Sequence, residues 1–379
     1  MNVLVVTAYP PVLNMHGGGV RMYHNIRILS EEHSVHVLSF VESDEERAAV
    51  EAVRGICDSI AAIPRKADFR PRWFSLAPFL IHEFDTPEMR EAVESEFRSR
   101  KIDVIQCEYL QMAQYRRPGP FSILTEHEAV SANAVAAFQR EIDPVEKLRL
   151  FSRWMAALNY EVSACQKFDR VVTMTKEDAG YLRSYARRAN IRHIPIGIDP
   201  EYFQPALQDP ARPLEVLFIG NFRHTPNVEA ADFLLREIAP CFPDVQFVIA
   251  GPYVPATLPR ARNADFPGYV PDTRQLFHGA NTVFMAPLFS GTGQRVKLLE
   301  AFAMASPVIT TSVGALGFPI LSGKQAIIAD RVSDFHSSLT RLLAARELRA
   351  RIGIEGRRMI LEHFSWEKLQ PEFLDFPCQ

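Results

Sequence analysis

Residues 290–311 read SGTGQRVKLLEAFAMASPVITT, with FMAP (284–287) shortly before them. The flanks, FMAP and SPVITT (306–311), are short apolar runs of strand type, and between them a glycine loop opens an amphipathic helix that carries one acid. Strand, loop, helix, strand is the repeating unit of a parallel sheet with crossover helices. The loop of Gly291, Thr292 and Gly293 offers backbone donors, and the helix beginning near Arg295 aims its positive end at that loop. Arg295 and Lys297 add two full charges. A diphosphate would find donors and countercharge here without a metal. Glu300 lies three residues beyond Lys297, about one turn further, where a carboxylate can accept from both hydroxyls of a ribose. The plain alternative is a helix whose cations and acid simply face solvent.

The same alternation runs outward in both directions. In the first half the strand candidates are residues 2–8, 34–40, 59–64, 103–109, 121–126, 170–175 and 191–195, with helices filling most of the gaps. The spacing predicts one long helix over 145–167, where Leu148, Phe151, Met155, Leu158 and Val162 form a core-facing stripe. Residues 195–213 carry five prolines without periodicity and make a linker. Strands then resume at 214–220, 245–251, 282–287, 307–312 and 326–329. Two such sets imply an α/β chain with two Rossmann-like domains of parallel sheet facing across a cleft: 1–198, a linker at 199–213, and 214–362.

At 379 residues the chain exceeds the usual single domain, and 47% hydrophobic with 23% charged residues is ordinary globular composition. A net charge of −3, from 42 basic and 45 acidic residues, gives no global bias towards nucleic acid or membrane, and no nucleic-acid partner is expected. Five cysteines, widely spaced and without CxxC, fit a reduced cytoplasmic protein. No signal peptide or membrane span is read. Neither Asp-x-Asp nor H-E-x-x-H occurs, and adjacent residues of Glu126-His127-Glu128 point in different directions on a strand end, so no metal site is expected. The only Gly-Lys, at Gly323 and Lys324, lacks the rest of a Walker A loop. RKADFRPRWF (65–74) mixes four cations with three aromatics and suits peripheral contact with an anionic surface at the inner membrane face, or a plain solvated loop.

Ligands of open parallel sheets bind outside the carboxyl ends of the strands. HGGGVR (16–21) follows the first strand there, and its glycines Gly17, Gly18 and Gly19 let a ligand approach the backbone of a helix start. It does not spell G-x-G-x-x-G, although Glu42 at the end of the second strand stands about where a dinucleotide-binding acid would.

The order of the glycine loop after the first strand, PIGID at the linker, FIGN with Pro226 and Asn227, VIAG, GYVPD and GTGQRVKLLEAFAMASPVITT resembles the retaining family 4 of GT-B fold glycosyltransferases, also called group 1, over nearly the whole chain. The resemblance implies transfer of a sugar from a nucleotide diphosphate sugar to a small-molecule, glycan or lipid-linked acceptor, with no cofactor beyond the donor substrate. It places Arg295 and Lys297 on the diphosphate, Glu300 on the ribose and His127 beside the donor sugar. Gly17, Gly18 and Gly19 would approach the donor phosphates or the acceptor, and Gly268, Tyr269 and Val270 would line the base pocket through backbone atoms. Gly291, Thr292, Gly293, Gln294 and Val296 belong to the donor loop, with Arg223 and His224 as further diphosphate contacts. HFSW (363–366) resembles the start of a terminal helix, 363–379, that crosses back to the first domain. One departure is Thr292, which stands where many members carry a second glutamate, eight positions before Glu300. That glutamate usually meets the donor sugar, so sugar identity does not transfer. No protein nucleophile is nominated, because the leaving diphosphate itself helps deprotonate the acceptor in the front-face mechanism. Rival readings are a nucleotide-sugar 2-epimerase, a non-catalytic nucleotide-sugar-binding protein suggested by Thr292, and a nicotinamide dehydrogenase resting on the glycine loop and Glu42.

Overall fold

A computed structural model describes residues 1–13, 17–65, 78–205 and 212–376. His16, most of 65–74, part of the linker and Cys378 lie outside the described residues. The chain divides into two compact units, one of Met1–Pro195 with the residues from Gln370 onward, the other of Ile196–Leu369.

The first unit runs β1 Asn2–Thr7, α1 Gly17–Ser30, β2 Ser34–Val41, α2 Asp44–Ala52, β3 Ser59–Pro64, α3 Phe79–Glu83, α4 Pro87–Ser99, β4 Val104–Glu108, β5 Phe121–Glu126, α5 Val130–Arg140, α6 Pro144–Lys167, β6 Arg170–Thr173, α7 Lys176–Tyr185 and β7 Ile191–His193. Its strands form one parallel sheet in the order β3-β2-β1-β4-β5-β6-β7. Val3, Leu4, Val5 and Val6 of β1 are buried, as a central parallel strand covered on both faces requires. In register, Thr7 of β1 stands beside Ser39 of β2 and Glu108 of β4. The strand order reverses between β1 and β4, which puts a topological switch point at the carboxyl ends of those two strands.

The second unit runs β8 Glu215–Ile219, α8 Thr225–Phe233, β9 Gln246–Ala250, β10 Ala264–Gly268, β11 Thr282–Ala286, α9 Val296–Ala303, β12 Val308–Thr310, β13 Ile327–Ile328, α10 Val332–Ala344 and α11 Arg346–His363. The division from the first unit falls inside α12, Trp366–Leu374. The parallel sheet has the order β10-β9-β8-β11-β12-β13 and switches between β8 and β11. Within this unit PIGID meets HFSW: Ile198 donates to the Phe364 carbonyl at 2.7 Å, and a side chain on Gly197 would run into the Trp366 ring.

Two expectations need correction. Helix α6 forms where the periodicity predicts it, yet its stripe does not face the core over its whole length: Leu148 is 70% exposed, Met155 42% and Phe151 41%. Only the second half of the helix is buried in the unit, through Ala157, Glu161, Ala164 and Cys165, while Phe151 packs with Trp154 and with Phe138 of α5. Strand β10 was not foreseen. Its sequence, ADFPG, holds an acid and a proline, and it forms because it is an edge strand with a shifted register, where a missing N–H is tolerated.

Candidate active site

In the second unit the loop after β11 and the start of α9 are built by two glycines in the left-handed region, Gly291 (φ 94°) and Gly293 (φ 76°). A β-carbon on Gly291 would also press on the Arg295 guanidinium at 3.0 Å. That guanidinium curls over its own loop, donating from Nη1 to the Thr292 carbonyl at 2.5 Å and from Nη2 to the Ser290 carbonyl at 3.3 Å. Gln294 is buried, and its Oε1 accepts from the Ile196 backbone at 2.6 Å, which ties the loop to PIGID. Thr292 buries its Oγ1 with no hydrogen-bond partner among the described residues. Val296 begins the helix, and Leu298 and Leu299 donate to the Arg295 carbonyl, so the N–H groups of the first turn that lie ahead of them point at the loop.

Lys297 is half-buried. Its Nζ donates to Asn227 Oδ1 at 2.6 Å and lies 4.7 Å from the centre of the Phe218 ring. Burial, reinforced by the charge of Arg295, draws its pKa down to about 7 in spite of Glu300. Asn227 is itself held: its Nδ2 donates to the Asn221 carbonyl at 2.7 Å, and its side chain lies so near Gly220 that a β-carbon there would clash. Glu300 accepts from Thr273 Oγ1 at 3.1 Å, and burial pushes its pKa up to about 7 against that hydrogen bond and the charge of Lys297. Thr273 follows the GYVPD loop directly, so Glu300 and the loop of Gly268, Tyr269 and Val270 are brought together. Gly268 (φ 73°) accepts from Gly251 N–H at 2.7 Å, and Tyr269 is exposed. Arg223 and His224 are exposed: the Arg223 guanidinium stacks on the Tyr253 ring at 3.7 Å, while His224 joins the cluster through its backbone, its carbonyl accepting from Asn227 N–H at 2.9 Å.

In the first unit the switch point carries a buried polar network. Glu108, the last residue of β4, accepts from His127 Nε2 at 2.7 Å through Oε2, and from Gln106 at 2.5 Å and Asn25 at 3.2 Å through Oε1. Burial opposes charge on Glu108, but its interaction with His127, the charge of Arg21 and the hydrogen bond from Gln106 outweigh it and hold its pKa below the usual range. Arg21 is buried too, donating to the Pro195 carbonyl at 2.7 Å and covering the Phe373 ring. His127 stacks face to face on Tyr109, with ring centres 3.8 Å apart, and its Nδ1 is buried with no hydrogen-bond partner among the described residues. Tyr109 holds φ at 78°, which costs a non-glycine residue roughly 1–3 kcal/mol. Gly18 completes the arrangement: a β-carbon there would collide with the Tyr109 hydroxyl and come within 3.2 Å of His127 Nδ1. Gly17 and Gly19 flank it in the first turn of α1.

The cluster Glu126, Glu161 and Asp178 lies close by in sequence and chemistry. Glu126 is buried with neither oxygen hydrogen-bonded among the described residues, and its pKa is raised well above normal by burial and then by the charges of Glu161, Asp178 and Glu128. Glu161 accepts from Val130 N–H, Ser131 N–H and Ser131 Oγ. Among the described residues no group of three or more His, Cys, Asp or Glu is placed to hold a metal ion. Cys57, Cys107, Cys165 and Cys241 are free thiols, and among the described residues no helix is long and apolar enough to cross a membrane.

Glu108, Tyr109, Asn227 and Thr273 were not nominated from sequence. Glu108 had a signal, an acid closing the otherwise buried strand 103–109; Asn227 and Thr273 are defined by partners 70 and 27 positions away.

Tandem Rossmann-type parallel sheets, each with its polar residues gathered at the switch point, define the GT-B class, and the sequence agrees. Residues 15–202 match the profile described as Glycosyltransferase Family 4, and residues 213–345 match that of Glycosyl transferases group 1. The chain belongs to the glycosyltransferases of this family 4, group 1 type. D-inositol 3-phosphate glycosyltransferase of Rhodococcus opacus (strain B4) is 29% identical over 230 residues, which is 52% of this chain and 50% of that protein. Among solved structures, sucrose-phosphate synthase from Thermosynechococcus elongatus is similar with a TM-score of 0.74 at 16% identity, over 98% of this chain and 97% of that one. Anabaena HepE in complex with UDP-glucose is similar with a TM-score of 0.70 at 12% identity, over 98% of each chain.

Proposed function

We propose that this glycosyltransferase takes a sugar from a nucleoside diphosphate sugar and passes it to a hydroxyl of a small-molecule, glycan or lipid-linked acceptor, with retention at the anomeric carbon and without a metal bridging the diphosphate. The observation that carries the reading is the pair Arg295 and Lys297 at the head of α9. Two half-buried basic side chains are fixed at one loop-to-helix junction, one by its own loop and the other by Asn227, and burial, followed by repulsion from Arg295, brings Lys297 down to about 7. A diphosphate relieves that repulsion, and as the bond to the sugar breaks the growing charge on the leaving group is met by donors already in place. HepE, the structural neighbour with UDP-glucose, supports the donor class. Glu300, already accepting one hydroxyl from Thr273, is chemically suited to the ribose. Thr292 replaces a carboxylate with a neutral hydroxyl in the loop, so the donor sugar meets less negative charge there.

Retention follows if the leaving diphosphate, held by Arg295 and Lys297, takes the acceptor's proton on the same face that the acceptor attacks. Arg295→Ala and Lys297→Ala each remove one charge from that leaving group, and each lowers turnover by about 10²–10³-fold while the melting temperature stays near that of the parent. Full turnover by both folded variants would sink the assignment.

A further inference from the structure

We infer that Glu108 is a positioning residue for His127: it holds the imidazole in the Nε2–H form, so that Nδ1 presents a lone pair beside Gly18 and accepts a hydrogen bond from a substrate hydroxyl. This rests on the glycosyltransferase reading for the nature of the substrate, but not for the geometry. A carboxylate accepts and does not donate, so the 2.7 Å contact between Glu108 Oε2 and His127 Nε2 puts the ring proton on Nε2. The other carboxylate oxygen is already occupied by Gln106 and Asn25, so Glu108 is not free to turn towards another partner. The ring plane is fixed by the stack on Tyr109, whose backbone is held in the left-handed region to put it there. Nδ1 is thus the polar atom of the ring that has no hydrogen-bond partner among the described residues, and it is buried. Nδ1 lies beside Gly18 and the Tyr109 hydroxyl, so close that a β-carbon on Gly18 would come within 3.2 Å of it.

In the neutral ring, with its single proton on Nε2, Nδ1 is an acceptor. It is matched to a hydroxyl donor such as the sugar or acceptor carries, and mismatched to a carboxylate or phosphate oxygen, which needs a donor. The hydroxyl keeps its proton in this role; His127 orients it, and no proton transfer is assigned to the pair.

The test is the tautomer itself, read by nitrogen-15 NMR on protein labelled at the histidine ring nitrogens, with His127→Gln used to assign the His127 signals. The expected wild-type result is a protonated Nε2 and a bare Nδ1, with the preference lost in Glu108→Gln. In kinetics Glu108→Gln lowers turnover by about 10- to 100-fold, Glu108→Asp restores part of it, and the double variant with His127→Gln is no slower than His127→Gln alone. Affinity for free nucleoside diphosphate stays within about twofold of the parent, because no diphosphate contact is removed. A wild-type His127 protonated at Nδ1 overturns the inference without any variant, as does a folded Glu108→Gln protein with parental tautomer and turnover. If the parent transfers no sugar from any nucleotide donor, the functional reading fails, and the NMR result still decides the role of Glu108 by itself.

Discussion

Lys297 loses its proton near neutrality because it is a lysine pressed into a half-buried place next to Arg295, with a neutral amide, Asn227, as its hydrogen-bonding partner among the described residues. A diphosphate bound there stabilises the charged form and raises the pKa again. At pH 8 the free lysine is mostly neutral while Glu300, at about 7, is mostly ionised. Binding of a nucleoside diphosphate at pH 8 is therefore accompanied by uptake of close to one proton, and affinity falls as the pH rises above about 7. Calorimetry in buffers of different ionisation enthalpy measures this, and a heat independent of buffer contradicts it. Asn227→Ala, which frees the lysine without removing it, weakens nucleoside diphosphate binding by roughly tenfold, about the worth of one charge-assisted hydrogen bond. Arg295, Lys297 and Glu300 were legible because their meaning lies in spacing along one helix. Asn227 stands in a recognisable motif, but its role as the anchor of Lys297 is not legible there, since a partner in another βα unit leaves no trace in local spacing.

At the scale of the element, the loop before α9 depends on backbone freedom as much as on charge. Gly291 at φ 94° has both a conformational reason and a steric one to be glycine, the latter being the Arg295 guanidinium. Gly291→Ala is expected to displace Arg295 from the Thr292 and Ser290 carbonyls and to lower turnover by at least about tenfold, with strain of roughly 1–3 kcal/mol in the loop. Equal turnover and equal stability would contradict that account. Helix α6 shows what periodicity leaves undetermined. Apolar spacing located the helix, but whether a stripe meets the core depends on where the helix sits over the sheet, and its first two turns run past the packed region. Strand β10 shows the reverse, a segment whose composition forbids a central strand and which pairs all the same, because an edge asks less of the chain.

Over the whole molecule the tandem sheets were readable, since buried parallel strands are near-continuous apolar runs separated by helices, and nothing else gives that pattern twice. The buried acids were not. Glu126 ends a strand like many surface acids, and only the fold shows it enclosed with Glu161 and Asp178. Its folded pKa lies well above normal, while in the unfolded chain it ionises near 4.5. The stability it contributes is therefore present at low pH and is lost as the pH rises above about 4.5. Glu161, raised to about 7, adds a loss of the same sign between 4.5 and about 7. Glu126→Gln, neutral at every pH, is expected to gain melting temperature over the parent progressively from pH 5 to pH 8; a difference that does not grow with pH removes the assignment of Glu126 as a protonated buried acid.

The central claim is that the cation pair on α9 serves a nucleoside diphosphate leaving group. The most direct measurement is mass-spectrometric detection of free nucleoside diphosphate after long incubation of the parent protein and Arg295→Ala with UDP-, GDP-, TDP- and ADP-sugars, EDTA present and no acceptor added. The account predicts slow release from one donor by the parent, insensitive to EDTA, and its loss in the variant. Absence of both release and thermal stabilisation with every donor, or release that EDTA abolishes or that Arg295→Ala retains in full, would contradict it.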